Sequence, residues 1–307
     1  MATPPASVPT APPIVLVFGG SDPSGGAGVQ ADIMTLASLG CHPLSVITAL
    51  TIQDTARVEA VDAIDPAWVE DQARQVLEDM TVDAFKIGLL GSVENVQAIA
   101  EVVSDYPDIP LILDPVLAAG NGDDLANEEL IAAMKELLIP QTTVLTPNSI
   151  EARRLVAAHF EEEDPALELC AKALLEMGAE YVLITGTHEN TQQVVNQLYG
   201  PVGGPDSDDL GLVRSDAWTR LPGSYHGSGC TLASAIAATL ANGLDVPAAV
   251  REAQEYTWNT LKYGFRPGMG QYIPDRFFWA RQADTGENEA GEGEAAEGEP
   301  GGTPERP

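Results

Sequence analysis

The sequence predicts an α/β fold in which helices cover both faces of a central, mainly parallel sheet. Three observations support this class. Short apolar, β-branched runs alternate with helical patterns along residues 14–263. Such alternation implies helical crossovers between parallel strands. The glycine-rich and polar segments follow strand-like runs, which is where ligands bind in sheets of this type. Two long helical patterns close the domain, at 230–241 and 247–263.

Individual elements follow from their apolar spacing. In the first half of the chain, the predicted strands cover residues 14–18, 45–50, 84–87 and 111–113, and the predicted helices cover 30–39, 68–80 and 93–104. In the second half, strands at 143–145 and 181–185 alternate with helices near 151–158 and 167–177. The segments 192–199 and 210–213 then predict an antiparallel pair.

The 307 residues predict one domain, residues 14–282, between two disordered segments. Residues 1–13 are rich in proline and alanine, and residues 283–307 are rich in glycine, glutamate and proline, without the apolar side chains that a core requires. The formal net charge of −31 disfavours nucleic acid and anionic membranes as partners. The amino-terminal residues lack a basic region and an apolar stretch, so the expected location is the cytoplasm.

A glycine-rich segment joins the first strand to the first helix. It reads GGSDPSGGAG, residues 19–28, with five glycines in ten residues. A tight strand–helix turn needs only one or two glycines, and glycine also allows a ligand to approach the backbone closely. The segment contains no basic residue and is not a GxxxxGK[ST] phosphate loop. It favours a site for a neutral ligand, with a plain turn as the alternative.

A second glycine-rich segment, HGSGC at 226–230, runs directly into an alanine-rich helix pattern. Unpaired N–H groups at a helix start, with the helix dipole behind them, stabilise an anion such as a transferring phosphoryl group. Gly227, Ser228 and Gly229 are the candidates for this anion hole. Cys230 is expected to have a lowered thiol pKa and to act as a base. The alternative is a small buried residue in a close-packed helix start.

Together with three further segments, these two resemble the hydroxymethylpyrimidine and phosphomethylpyrimidine kinases of the ribokinase-like superfamily. The further segments are FKIGLLGS at 85–92, LDPVLAAGNGDDL at 113–125 and LTPNSIEARRL at 145–155. The resemblance implies a three-layer α/β/α sandwich for residues 14–282. It also implies ATP-dependent phosphorylation of 4-amino-5-hydroxymethyl-2-methylpyrimidine, and of its monophosphate, in thiamine diphosphate biosynthesis. Members of the family are commonly homodimers.

The resemblance assigns residues to each part of the site. For the aminopyrimidine, they are the amide of Gln53, the backbone of Gly25, Gly26 and Ala27, the carboxylate of Asp32, and the apolar walls Leu89 and Val116. The nucleotide is expected near Asn148, Thr185 and Gly186, and Mg²⁺ near Asp114 and Glu151. Without the resemblance, Asp114 and Glu151 fit a helix cap and a surface charge at least as well.

Three positions depart from the family pattern. Thr185 stands where family members often have a lysine near the phosphates, which implies one positive charge fewer on the nucleotide. The segment 196–199 lacks the usual aspartate–leucine pair, and 268–271 lacks the usual histidine-rich ending. A pyridoxal kinase of the same superfamily is the nearest alternative, and a non-catalytic pyrimidine sensor is an alternative from another class.

Overall fold

A computed structural model describes residues 11–281, except residues 120, 121, 123, 163 and 206. Most of the predicted segments 1–13 and 283–307 lie outside the described residues, so their disorder stays a prediction. The chain divides into two units, Met1–Arg276 and Phe277–Pro307. Within the second unit, the Ala280 N–H donates to the Phe277 carbonyl. The predicted domain end at residue 282 also stays a prediction.

Within the described residues, nine strands form one sheet. They are β1 Ile14–Ser21, β2 His42–Gln53, β3 Val58–Ala63, β4 Ala84–Ile87, β5 Leu111–Leu113, β6 Val144–Leu145, β7 Tyr181–Ile184, β8 Gln193–Pro201 and β9 Leu210–Thr219. Their order is β3-β2-β1-β4-β5-β6-β7-β8-β9. The six strands β2, β1, β4, β5, β6 and β7 are parallel to one another. At the edges, β3 pairs antiparallel with β2, β8 with β7, and β9 with β8.

The α-helices that cover this sheet are α1 Gly28–Ser38, α2 Pro66–Asp79, α3 Val93–Ser104, α4 Glu128–Leu137, α5 Ser149–Val156, α6 Leu167–Glu176, α7 Ser228–Ala241 and α8 Val246–Lys262. Several begin at a capping side chain that accepts a backbone N–H, among them Asp65, Ser92, Asn127 and Asp245. No described helix combines the length and the apolar character needed to cross a bilayer.

The period-two alternation of the central strands separates two hydrophobic layers. In β1, Leu16 and Phe18 pack with the buried residues of α2 to α6, whereas Val15 and Val17 pack with those of α1, α7 and α8. Helices therefore lie on both faces of the sheet, and the predicted three-layer α/β/α fold is confirmed.

Two observed elements, β3 and α4, were not predicted from the sequence. In β3, five of the six residues are exposed, so the strand lacks the apolar run that marks a buried strand. In α4, the three buried residues Leu130, Ile131 and Met134 have helical spacing, and Asn127 caps the helix. The antiparallel pair predicted near the end of the sheet is confirmed as β8 and β9.

Candidate active site

A cavity of about 1030 Å³ opens where the parallel strands end. Most of the predicted site residues line it, namely Ala27, Asp32, Gln53, Leu89, Asp114, Val116, Asn148, Glu151, Thr185, Gly227, Ser228, Gly229 and Cys230. They come from segments spread over some two hundred positions of sequence. The strand ends bring them together because parallel strands all finish at the same edge of the sheet.

The loop between β1 and α1 is built around the carboxylate of Asp22. That carboxylate accepts the Ser24 N–H at 2.8 Å, the Ser24 hydroxyl at 2.9 Å and the Ala27 N–H at 2.7 Å. It also lies 2.8 Å from His226 Nε2. Burial raises the pKa of Asp22, but these hydrogen bonds outweigh burial and lower it to about 2. Asp22 is therefore ionised at neutral pH, and the His226 Nε2–H donates to it.

A buried ion pair supports the floor of the cavity. Lys86 Nζ lies 2.9 and 3.0 Å from the two carboxylate oxygens of Asp32, and the Ser234 hydroxyl donates to Asp32 at 2.7 Å. The two side chains are 1% and 0% exposed. Because each partner satisfies the charge of the other, the pair can occupy a position that neither could occupy alone.

The anion-hole loop, residues 227–230, forms the N-cap and the first residues of α7. Its N-cap, Gly227, has a φ of +80° and makes no side-chain capping hydrogen bond, which leaves the first amides of the helix available to a ligand. A Cβ on Gly227 would lie 1.9 Å from the Gly26 carbonyl oxygen, so only glycine fits there. A Cβ built on Gly229 would lie 3.6 Å from an Asp114 carboxylate oxygen, which places that carboxylate beside the loop.

The expected lowering of the Cys230 pKa is wrong. Burial raises the pKa of this thiol to about 12; Lys86 lowers it, while the negative charges of Asp32 and Asp114 raise it further. The helix start at Cys230 does not outweigh burial and two nearby carboxylates. The thiol is therefore protonated at neutral pH.

Asp114, beside the anion-hole loop, forms an acidic wall of the cavity together with Glu151. Burial raises the pKa of Asp114 to about 6, although Lys86 opposes this, and burial together with the charge of Asp114 raises the pKa of Glu151 to about 8. Glu151 also closes a capping box with Asn148 at the start of α5: its Oε2 accepts the Asn148 N–H at 2.9 Å, and Asn148 Oδ1 accepts the Glu151 N–H at 2.9 Å.

The donor set of this wall fits magnesium. A divalent cation between two carboxylates lowers the free energy of their repulsion. In proteins, Mg²⁺ is commonly held by one or two carboxylates plus substrate phosphates. Among the described residues, no cluster of three or more histidine, cysteine, aspartate or glutamate side chains could hold a metal without such help. Asp114 and Glu151 would thus hold the ion together with the nucleotide.

Three predicted contact residues do not line the cavity: Gly25, Gly26 and Gly186. The carbonyl oxygens of Gly25 and Gly26 accept from the Arg276 guanidinium, at 3.5 and 2.6 Å. Gly186 donates its N–H to Asn196 Oδ1 at 3.0 Å, and a Cβ there would lie 2.2 Å from the Val195 carbonyl oxygen. These three glycines therefore have a structural role next to the cavity. Gly25 and Gly26 are held by Arg276, and Gly186 packs against the backbone of Val195.

Sequence reasoning missed several residues of the site. The role of Lys86 could have been predicted, because a lysine inside an otherwise apolar strand needs a buried partner of opposite charge. Asp22 lies inside the first glycine-rich segment and His226 starts the second, and the pattern in both segments is one of glycines rather than of ionisable side chains. Arg276, which also donates to Thr231 Oγ1 at 3.1 Å, carried no local signal at all.

An anion-binding helix start, an acidic wall suited to magnesium and a polar pocket at the carboxyl edge of a three-layer sheet define a ribokinase-like small-molecule kinase. Comparisons with known proteins narrow this class. The model of a family described as phosphomethylpyrimidine kinase matches residues 22–275. The chain belongs to the phosphomethylpyrimidine kinase family, and the resemblance drawn from its motifs is confirmed.

Individual relatives agree with this assignment. The hydroxymethylpyrimidine/phosphomethylpyrimidine kinase of Streptomyces coelicolor is 37% identical over 85% of this chain and 93% of its own length. A thiamine biosynthesis bifunctional protein of Geobacter sulfurreducens is 36% identical over 83% of this chain and 50% of its own length.

Solved structures with the same fold include two kinds of kinase. The pyridoxal kinase of Staphylococcus aureus in complex with AMP-PCP and pyridoxal has a TM-score of 0.76 and 28% identity, over 89% of this chain and 96% of that one. The phosphomethylpyrimidine kinase of Clostridium difficile has a TM-score of 0.66 and 31% identity, over 80% of this chain and 97% of that one.

Proposed function

We propose that the protein transfers the γ-phosphoryl group of ATP to the hydroxymethyl oxygen of 4-amino-5-hydroxymethyl-2-methylpyrimidine, and then phosphorylates the monophosphate, in thiamine diphosphate biosynthesis. One observation carries the proposal. The anion-hole loop, the acidic wall and most of the predicted pyrimidine-binding residues line one cavity, so an acceptor hydroxyl and a phosphoryl group fit side by side.

The pyrimidine is assigned to the side of the cavity formed by Gln53, Asp32 and Ala27. Gln53 is the last residue of β2 and offers a donor and an acceptor, which suit a ring nitrogen beside an exocyclic amine. Leu89 and Val116 supply apolar contacts to the ring faces. This arrangement orients the hydroxymethyl group toward the start of α7.

The phosphoryl group is assigned to the amides of residues 227–230, which stabilise charge on its oxygens as it transfers. Magnesium, held at Asp114 and Glu151, would neutralise charge on the nucleotide phosphates. Asn148 and Thr185 are the proposed nucleotide contacts at the same edge of the sheet. Thr185 contributes no positive charge there.

Cys230 is the proposed base for the acceptor hydroxyl. Because its pKa is raised to about 12, only a small thiolate fraction exists at neutral pH. The logarithm of kcat is therefore expected to rise with a slope of about one per pH unit through the neutral range if the thiolate takes the proton. A kcat that does not change with pH in this range would contradict the role of Cys230 as a base and leave it only the role of orienting the hydroxyl.

The decisive experiment follows the products formed from Mg-ATP and the hydroxymethylpyrimidine by mass spectrometry, at low and high salt. Monophosphate followed by diphosphate is the expected result. Monophosphate alone would point to the missing cation at Thr185, because a phosphorylated acceptor needs additional cationic contacts. No product under either condition would refute the proposal.

Pyridoxal kinase activity is the second candidate, favoured by the structural likeness to the Staphylococcus aureus enzyme. Parallel assays with pyridoxal separate the two candidates. The variant Gln53→Ala is expected to reduce pyrimidine turnover far more than any pyridoxal turnover, since the amide matches the aminopyrimidine. Equal losses would count against the pyrimidine assignment.

The proposal extends to the state of the protein in the cell. A homodimer in the cytoplasm is expected from the family resemblance. Sedimentation of the full chain tests the dimer: a mass near twice 32.3 kDa is expected, and a monomer at micromolar concentration would refute it.

A further inference from the structure

The two glycine-rich loops of the site are in direct contact. A Cβ on Gly26 would lie 2.2 Å from His226 Cδ2, so the imidazole ring occupies the space that a side chain at residue 26 would need. The Gly26 carbonyl oxygen in turn fills the space beside Gly227. Residues 22–27 and 227–230 therefore form one packed unit, although they are far apart in the sequence.

One hydrogen-bonded link between the loops runs through a buried carboxylate, beside the direct packing of Gly26 against His226 and Gly227. Asp22 is 1% exposed and accepts two backbone N–H groups of its own loop, from Ser24 and Ala27, as well as the His226 Nε2–H. The backbone of His226 is fixed from another direction, since its N–H donates to the Tyr272 carbonyl at 2.8 Å. The ring thus connects the loop that lines the acceptor pocket to the residue before the anion hole.

We propose that His226 is a positioning residue that sets the distance between the acceptor hydroxyl and the anion hole through its hydrogen bond to Asp22. The inference rests on the proposed kinase function, in which one loop holds the acceptor and the other holds the phosphoryl group. In that proposed site, Ala27 on one loop contacts the acceptor and the amides of residues 227–230 on the other contact the phosphoryl group. Loss of the contact therefore affects the transfer step more than it affects the binding of either substrate.

Two amide substitutions test this role with little change in size or polarity. In His226→Gln, the side-chain nitrogen reaches about as far as Nε2 and can donate to Asp22, whereas in His226→Asn it falls short. Because misplacement by about 1 Å can cost about 100-fold in rate, His226→Asn is expected to lower kcat by about 30- to 100-fold. The KM for ATP is expected to change by less than about twofold, and His226→Gln to retain kcat within about fivefold of the unaltered protein.

A second measurement does not depend on the substrate. Hydrogen exchange of the full chain should accelerate in peptides covering residues 22–27 and 227–230 in His226→Asn, and much less in His226→Gln. His42→Asn is the matched control, because His42 is an exposed histidine at the start of β2 and its loss should leave both loops unchanged.

The outcomes separate this inference from the proposed function. If the unaltered protein phosphorylates no pyrimidine, the proposed function fails and hydrogen exchange alone decides the role of His226. Unchanged exchange in both loops would then overturn the inference. If the kinase is active, equal kcat values for the Asn and Gln variants, or a loss confined to the KM for ATP, would overturn it.

Discussion

The buried pair Lys86–Asp32 allows a quantitative test of how the site is held together. The perturbation is Lys86→Met, which keeps an unbranched side chain one atom shorter and removes its charge. Asp32 would then remain fully buried, and the Ser234 hydroxyl would still donate to it. A buried carboxylate that lacks a cationic partner destabilises the folded state, because water does not reach it to solvate the charge.

The magnitude follows from the geometry. At 2.9 Å and an effective dielectric constant of about 20, the Coulomb attraction between the two charges is about 6 kcal/mol. The desolvation of both groups offsets part of this attraction in the intact pair. Breaking one partner of a buried pair costs about 3–5 kcal/mol in practice, which corresponds to a fall in Tm of about 6–10 °C for a domain of this size.

The assay is urea unfolding at neutral pH, followed by circular dichroism, with Lys172→Met as the matched control. Lys172 is 70% exposed and lies 4.0 Å from Glu176, so its loss should change the free energy of unfolding by less than about 0.5 kcal/mol. The double variant Lys86→Met/Asp32→Asn should recover at least about half of the loss, since residue 32 then carries no buried, unpaired charge. A loss below about 1 kcal/mol for Lys86→Met would refute the reasoning.

Three further predictions concern the chemistry of the cavity wall. Because the pKa of Glu151 is raised from 4.5 to about 8, the folded protein binds the extra proton between these values, so metal-free stability should fall as pH rises from about 4.5 to about 8. Urea titrations of Glu151→Gln should lack this part of the slope, and an unchanged slope would contradict the assignment. With a pKa of about 12, Cys230 should react with iodoacetamide at pH 8 at least about tenfold more slowly than free cysteine; rapid labelling of this residue in peptide maps would contradict the raised pKa. Gly227→Ala should reduce kcat more than about 100-fold, because its Cβ would lie 1.9 Å from a carbonyl oxygen. Gly243→Ala, with a φ of +90° and no atom within 4 Å of its Cβ, should cost only about 1 kcal/mol of stability and spare kcat, and equal losses of kcat would contradict the steric argument.

Local pattern was sufficient to predict most of the fold. Alternating strands and helices specify parallel crossovers, and the observed bounds of β4, α3 and β5 agree with those expected from apolar spacing. The edge strand β3 was not predicted because five of its six residues are exposed. An exposed strand lacks the run or alternation of apolar residues by which strands are predicted from sequence. The glycine-rich loops could be predicted for a different reason. Glycine is needed where the backbone adopts a positive φ or approaches another group closely, so the loops are visible in the composition.

What the tertiary structure decided is the chemistry of the groups inside those loops. The low Asp22 pKa depends in part on His226, which lies 204 positions away along the chain, and the buried charge of Lys86 depends on Asp32, 54 positions away. Cys230 illustrates the point most sharply, because its position at a helix start predicts a lowered pKa, while burial beside two carboxylates raises it. The sequence by itself determined the fold class and where the site lies. The ionisation of its side chains was decided only by folding, because a pKa depends on solvent exclusion and on charges that distant segments bring within a few ångströms.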